Sequence, residues 1–84
     1  MRQCNNCVVK HLSACLVLDE EVHLGHPDHV YYIIGHLNEA AIECENVGIA
    51  VEIRKLREAY RVNYDLDHAV VVSLLRRIDE DVQS

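Results

Sequence analysis

Apolar residues recur at three- and four-residue steps along nearly the whole chain, a pattern that predicts helices. In a first segment, about residues 7 to 24, Cys7, His11, Cys15, Leu18 and Val22 follow one stripe. Val8, Leu12 and Leu16 widen its apolar face. Asn5 or Asn6 is placed to cap the start by accepting from free backbone N–H groups. Gly25 ends the segment, since glycine takes a left-handed cap most readily. Pro27 opens a second helix, where its missing N–H does no harm, and Asp28 suits the positive end of that helix. From Asp28 to about Val47, one face carries Ile33, Leu37, Ala40, Cys44 and Val47. So short a connection makes the two helices an antiparallel hairpin.

Gly48 reads as a break before a third helix with Ile49, Ile53, Leu56 and Tyr60 inward. Asn63 to Asp67 reads as a turn, with Asp65 or Asp67 as the next cap. A fourth helix then runs from about Leu66 to Asp81, with Val70, Leu74 and Ile78 inward and Val71 and Leu75 beside them. The run Val70-Val71-Val72 also suits a short buried strand, but the helical period continues through Ile78. The expected fold is all-α: three to four short helices built on an N-terminal antiparallel hairpin, in one domain spanning residues 1–84.

Composition narrows this further. A chain of 84 residues holds one modest core. Phe and Trp are absent, so that core is built from Val, Leu, Ile, Ala and Cys; three Gly and one Pro argue against a turn-rich β fold. Fourteen acidic against eight basic residues give a net charge of −6, which argues against phosphate backbones as the main partner. No apolar run is long enough to span a bilayer and no signal-peptide core is visible, so a cytoplasmic location is expected, with cysteines as thiols or metal ligands.

The sharpest chemical pattern is Cys4-Asn5-Asn6-Cys7 followed by His11. Two thiols at this spacing can turn toward one ion, and His11 projects from the same side one helical turn beyond Cys7. A tetrahedral structural zinc needs a fourth ligand. In a hairpin turning near residue 26, the helical rise sets Cys44 level with a point between Cys7 and His11, and His36 beside Cys15. The expected set is Cys4, Cys7, His11 and Cys44, with His36 and then Cys15 as alternates. Singly, Cys15 and Cys44 read as core thiols. A Cys-x-x-Cys at a helix start also suits thiol–disulfide exchange, although no βαβ pattern accompanies it.

Other clusters point less sharply. His23, His26 and His29 gather around the first turn, which reads as a solvated loop. Glu20-x-x-His23 and Asp65-x-x-His68 echo the Glu-x-x-His step of di-iron bundles, but Glu20 and His23 lie off the apolar stripe. Arg54, Lys55, Arg57 and Arg61 form a basic strip that would serve nucleic acid, with Glu52 and Glu58 interleaved to pair with it. Tyr31 and Tyr32 are adjacent, so one must face outward, where it suits a protein contact. No phosphate loop or nucleophile motif points to an enzyme.

Cys4-x-x-Cys7, Lys10-His11-Leu12-Ser13-Ala14, Gly25-His26-Pro27-Asp28-His29 and Gly35-His36-Leu37-Asn38-Glu39-Ala40 together resemble a set of small tailed-phage and prophage proteins. The resemblance covers roughly the first half of the chain. It implies a viral or prophage origin, with a place in the bacterial host or the virion, and brings no activity with it. It favours His11 and His36 as paired motif histidines, against the level-pairing argument for Cys44.

The residues therefore lead to a non-enzymatic interaction or assembly module with an unidentified protein partner and a structural zinc staple. Val8, Val9, Val71, Val72 and Leu75 leave enough apolar surface for a homodimer. The other readings are a nucleic-acid-binding regulator using the arginine strip and a Cys-x-x-Cys redox protein.

Overall fold

A computed structural model of the chain describes residues 4–83. It is all-α: α1 spans Asn5–His23, α2 His29–Glu43, α3 Val47–Asn63 and α4 His68–Gln83, with no strand among the described residues. The first two helices form the expected antiparallel hairpin and share the most extensive interface. α3 packs next on α2, and α4 closes against α1 and α3. The bundle is elongated, about 40 × 21 × 18 Å.

Local chemistry sets each boundary. Cys4, in extended backbone, caps α1 in place of the expected asparagines, its Sγ accepting from the Cys7 N–H at 3.2 Å. Gly25, at φ +110°, turns the chain after α1. α2 stops at Glu43 because Cys44 leaves the helix with ψ 126°. Asn46 then accepts from the Ile49 N–H at 3.1 Å and starts α3. Val47 and Gly48, expected as an end and a break, therefore open α3. Tyr64, a left-handed cap at φ 53°, ends α3 with its N–H on the Tyr60 carbonyl at 2.7 Å. Asp67 receives the Val70 N–H at 3.3 Å at the start of α4, as its position predicts.

The core holds Val8, Leu12 and Cys15 of α1, Ile33, Leu37 and Ala40 of α2, Ile49, Ile53 and Tyr60 of α3, and Val71, Leu74 and Ile78 of α4. The buried stripe of α1 runs Val8, Leu12, Cys15, Asp19, one position round from the predicted one, so Cys7 and His11 sit at its edge. Val8 and Val71 are fully buried, which removes them from the apolar surface expected for a homodimer. No helix is long and apolar enough to cross a membrane among the described residues.

Candidate functional site

The open end of the α1–α2 hairpin gathers the residues that the motif pattern singles out. The Cys4 N–H donates to the Glu43 carbonyl at 2.9 Å, tying the leading cysteine to the last turn of α2. Cys4 and Cys7, with Cα atoms 5.2 Å apart, are joined as a disulfide. One turn on, the His11 ring lies between two α2 side chains. Its Nε2 is 2.9 Å from Glu43 Oε2, and its Nδ1 is 2.9 Å from His36 Nδ1. Glu43 and His36 are seven residues apart, so they share one face of α2 two turns from each other.

This arrangement constrains the protons. An ionised carboxylate only accepts, so Glu43 fixes the His11 proton on Nε2. A tautomer with its proton on Nε2 presents a bare Nδ1 toward His36. Burial, and secondly the neighbouring His11, hold His36 below the ordinary histidine value. Two ring nitrogens this close need a proton or a cation between them, since two lone pairs would repel. A carboxylate on the far nitrogen of a histidine is also the partner that orients metal-binding imidazoles.

The remaining sulfur candidates lie apart from this contact. Cys44 Sγ donates to the Asn46 carbonyl at 3.4 Å where α2 ends, and burial raises its pKa. Cys15 is fully buried with its Sγ 3.8 Å from the Ile33 carbonyl; burial, with Asp19 adding, pushes its thiol up to about 12. Among the described residues no group of three His, Cys, Asp or Glu side chains is arranged to hold a metal ion.

Tyr31 and Tyr32 are both exposed, at 68% and 60%. With Gly35 and Asn38 they border a shallow cleft of about 340 Å³ that also takes in His11 and His36. A Cβ at Gly35 would meet no heavy atom within 4 Å, so this helical glycine faces open space at the cleft. The tyrosines and the paired imidazoles therefore share one cleft between α1 and α2.

On α3, three members of the basic strip are paired. Lys55 lies 3.6 Å from Glu52 and Arg61 3.6 Å from Glu58, while Arg57 bonds Asn38 at 2.8 Å and Glu58 at 3.1 Å. Arg54 is exposed.

A second cluster escaped the periodicity argument. Asp19 is only 3% exposed, yet its Oδ2 lies 2.6 Å from His68 Nε2 of α4 and 3.7 Å from His23 Nε2. Its Oδ1 and the Tyr60 hydroxyl are buried without hydrogen-bond partners. Burial, followed by Asp19, pushes the Tyr60 phenol up to about 12. The available signal was Asp19's place on the stripe Val8, Leu12, Cys15, where an acid needs a partner.

No family model, curated protein or solved structure matches the chain.

Proposed function

We propose that this chain is a non-enzymatic, protein-binding helical module, an accessory or assembly component in a tailed phage, fastened at its open end by a structural zinc ion. The ligands are Cys4 and Cys7 as thiolates, His11 and His36. The observation that carries this reading is His11: Glu43 occupies its Nε2, and its Nδ1 faces His36 Nδ1 at 2.9 Å. Reduction of the Cys4–Cys7 bond would supply two soft donors one turn away on the same side, completing a tetrahedral sulfur–nitrogen set. When bound, zinc would cross-link α1 to α2. Glu43 would orient the His11 ring from outside the ligand set. His36 takes the place given to Cys44, because the Cys44 thiol is engaged with the Asn46 carbonyl.

The interaction role rests on the exposed Tyr31 and Tyr32 beside the same imidazoles. Tyrosine supplies broad contact area with a polar tip, a common composition for recognition surfaces.

The test is zinc stoichiometry of reduced, untagged protein, with a thermal melt before and after chelation. One zinc per chain and a lowered midpoint on chelation are expected, with the metal lost in His36→Gln and kept in Cys44→Ala. A metal-free reduced protein with an unchanged melt would sink the zinc reading.

A thiol–disulfide exchange protein is the second reading, favoured by the disulfide at the N-terminus of α1. It requires one low-pKa thiol in the reduced, metal-free chain. Ordinary alkylation rates across pH at both cysteines would dismiss it.

A further inference from the structure

We infer that Cys44 is an internal exchange partner for the Cys4–Cys7 disulfide. Its sulfur attacks Cys4 Sγ, a Cys4–Cys44 bond replaces the Cys4–Cys7 bond, and Cys7 is released. Three observations carry this. The Cys4 N–H donates to the Glu43 carbonyl at 2.9 Å, and Glu43 is the residue before Cys44. Across a peptide hydrogen bond of that length, the Cα atoms of Cys4 and Cys44 lie roughly 5–7 Å apart, the range a disulfide spans. The neighbouring residues keep the same register, with Asn5 Oδ1 accepting from the Glu45 N–H at 3.5 Å. Finally, Cys44 is a free cysteine that has left α2, and a weak thiol hydrogen bond to the Asn46 carbonyl at 3.4 Å positions its sulfur.

The step needs no outside oxidant or reductant. The Cys44 thiol gives its proton to water, and the thiolate forms a bond to Cys4 Sγ. The electron pair of the broken Cys4–Cys7 bond passes to Cys7 Sγ, which stays a thiolate or takes a proton from water. One disulfide and one thiol stand on each side. The choice of leaving sulfur follows from its place. Cys7 lies in the first turn of α1, where free N–H groups and the positive end of the helix favour an anion. Burial, with the charges of Asp81 and Glu45 adding, favours the protonated form of Cys44, so the exchange is slow in the closed fold.

The two disulfides tie different parts of the molecule. Cys4–Cys7 closes a short loop at the start of α1. Cys4–Cys44 closes a loop that contains both helices of the hairpin, and it makes covalent the junction now held by the Cys4–Glu43 hydrogen bond. The longer loop restrains the unfolded chain more strongly. Cys7, partly exposed, becomes the reactive thiol. The other free cysteine, Cys15, is fully buried in α1 and stands roughly 12 Å along the helix axis from Cys7, out of reach. The exchange uses the same disulfide as the thiol–disulfide reading but needs no external substrate, and it does not draw on the zinc reading.

The test maps disulfides in the oxidised, untagged, metal-free chain. The protein is held in mildly alkaline buffer without added thiol, quenched and alkylated in acid, and digested with an acid protease. Linked peptides of the monomer are read by mass. The expected result is a Cys4–Cys44 species beside Cys4–Cys7, with Cys7 alkylated in matching amount. Cys44→Ser abolishes that species, and Cys15→Ser leaves it in place. Reduced Cys7→Ser, treated with oxidised glutathione, gives the Cys4–Cys44 bond directly. The parent chain alone carries the main result, so a variant that fails to fold does not remove the test. A parent that holds only Cys4–Cys7, with Cys44 free throughout, overturns the inference whatever Cys7→Ser gives. A Cys7–Cys44 bond in its place does so too, as do bonds to Cys15 in comparable yield, which mark scrambling through the unfolded chain. The thiol–disulfide reading is judged on alkylation rates of the reduced chain, so each can fail alone.

Discussion

Two histidine–carboxylate clusters sit on α1 eight residues apart, roughly 12 Å along its axis, and they are built in opposite ways. At the open end, His11 reaches from α1 to Glu43 and His36 of α2, and acid and bases are all partly exposed. Toward the other end, the acid alone is buried, and His68 and His23 cover it from outside with side chains 45% and 62% exposed. Water can replace a lost partner in the first cluster. In the second, Asp19 is only 3% exposed, so water reaches it less readily. The same residue types thus make an adjustable contact at one place and a structural obligation at the other.

The comparison can be broken at several points, and the largest change comes from the core between the clusters. Leu12 is fully buried on α1, so Leu12→Ala is expected to destabilise the fold by about 2–5 kcal/mol in denaturant melts. A loss well under that range would mean that α1 is held mainly by its polar ends. Next in size is His68→Ala, which strips the buried Asp19 carboxyl of its closest partner. Discounted for the exposure of His68, about 1–2 kcal/mol of destabilisation is expected. The corresponding His36→Ala should cost less. Equal losses would dissolve the contrast between the two clusters.

Acid sharpens it. His36 is held below its ordinary value of 6.5 in the fold, so the unfolded chain binds its proton first as pH falls. Its contribution is complete above the unfolded value and lost progressively as pH drops from about 6.5 toward the lower folded value. Melting midpoints of the metal-free protein should therefore fall across that window, and His36→Gln should flatten the slope. An unchanged slope would remove His36 as a source of acid sensitivity. The smallest effect belongs to the α3 surface, where Arg57→Ala should change stability by no more than about 1 kcal/mol, as its pairs are open to solvent.

Much of the fold was legible because periodicity reports burial directly. The hairpin, the third helix and the helical choice for Val70-Val71-Val72 all follow from it. The end of α2 was displaced because Gly48 looked like punctuation while Asn46 performs it through one side-chain hydrogen bond. At the candidate site, a level-pairing rule treats side chains as points. A histidine ring presents nitrogens on two sides, so His11 touches both His36 and Glu43. Asp19 stayed hidden because hydrophobic patterning scores an acid as surface, and its partner His68 is distant along the chain.

Gly35, open to space in the middle of α2, bears on how this molecule is balanced. Glycine inside a helix gives up roughly 0.5–1 kcal/mol relative to alanine, and here a methyl group would meet nothing within 4 Å. Gly35→Ala is therefore expected to raise the melting midpoint while shallowing the cleft between Tyr31, Tyr32 and His36. α2 runs below its attainable stability at a spot that borders the tyrosine cleft. A variant that melts higher yet engages less would mark that shortfall as a trade of robustness for fit.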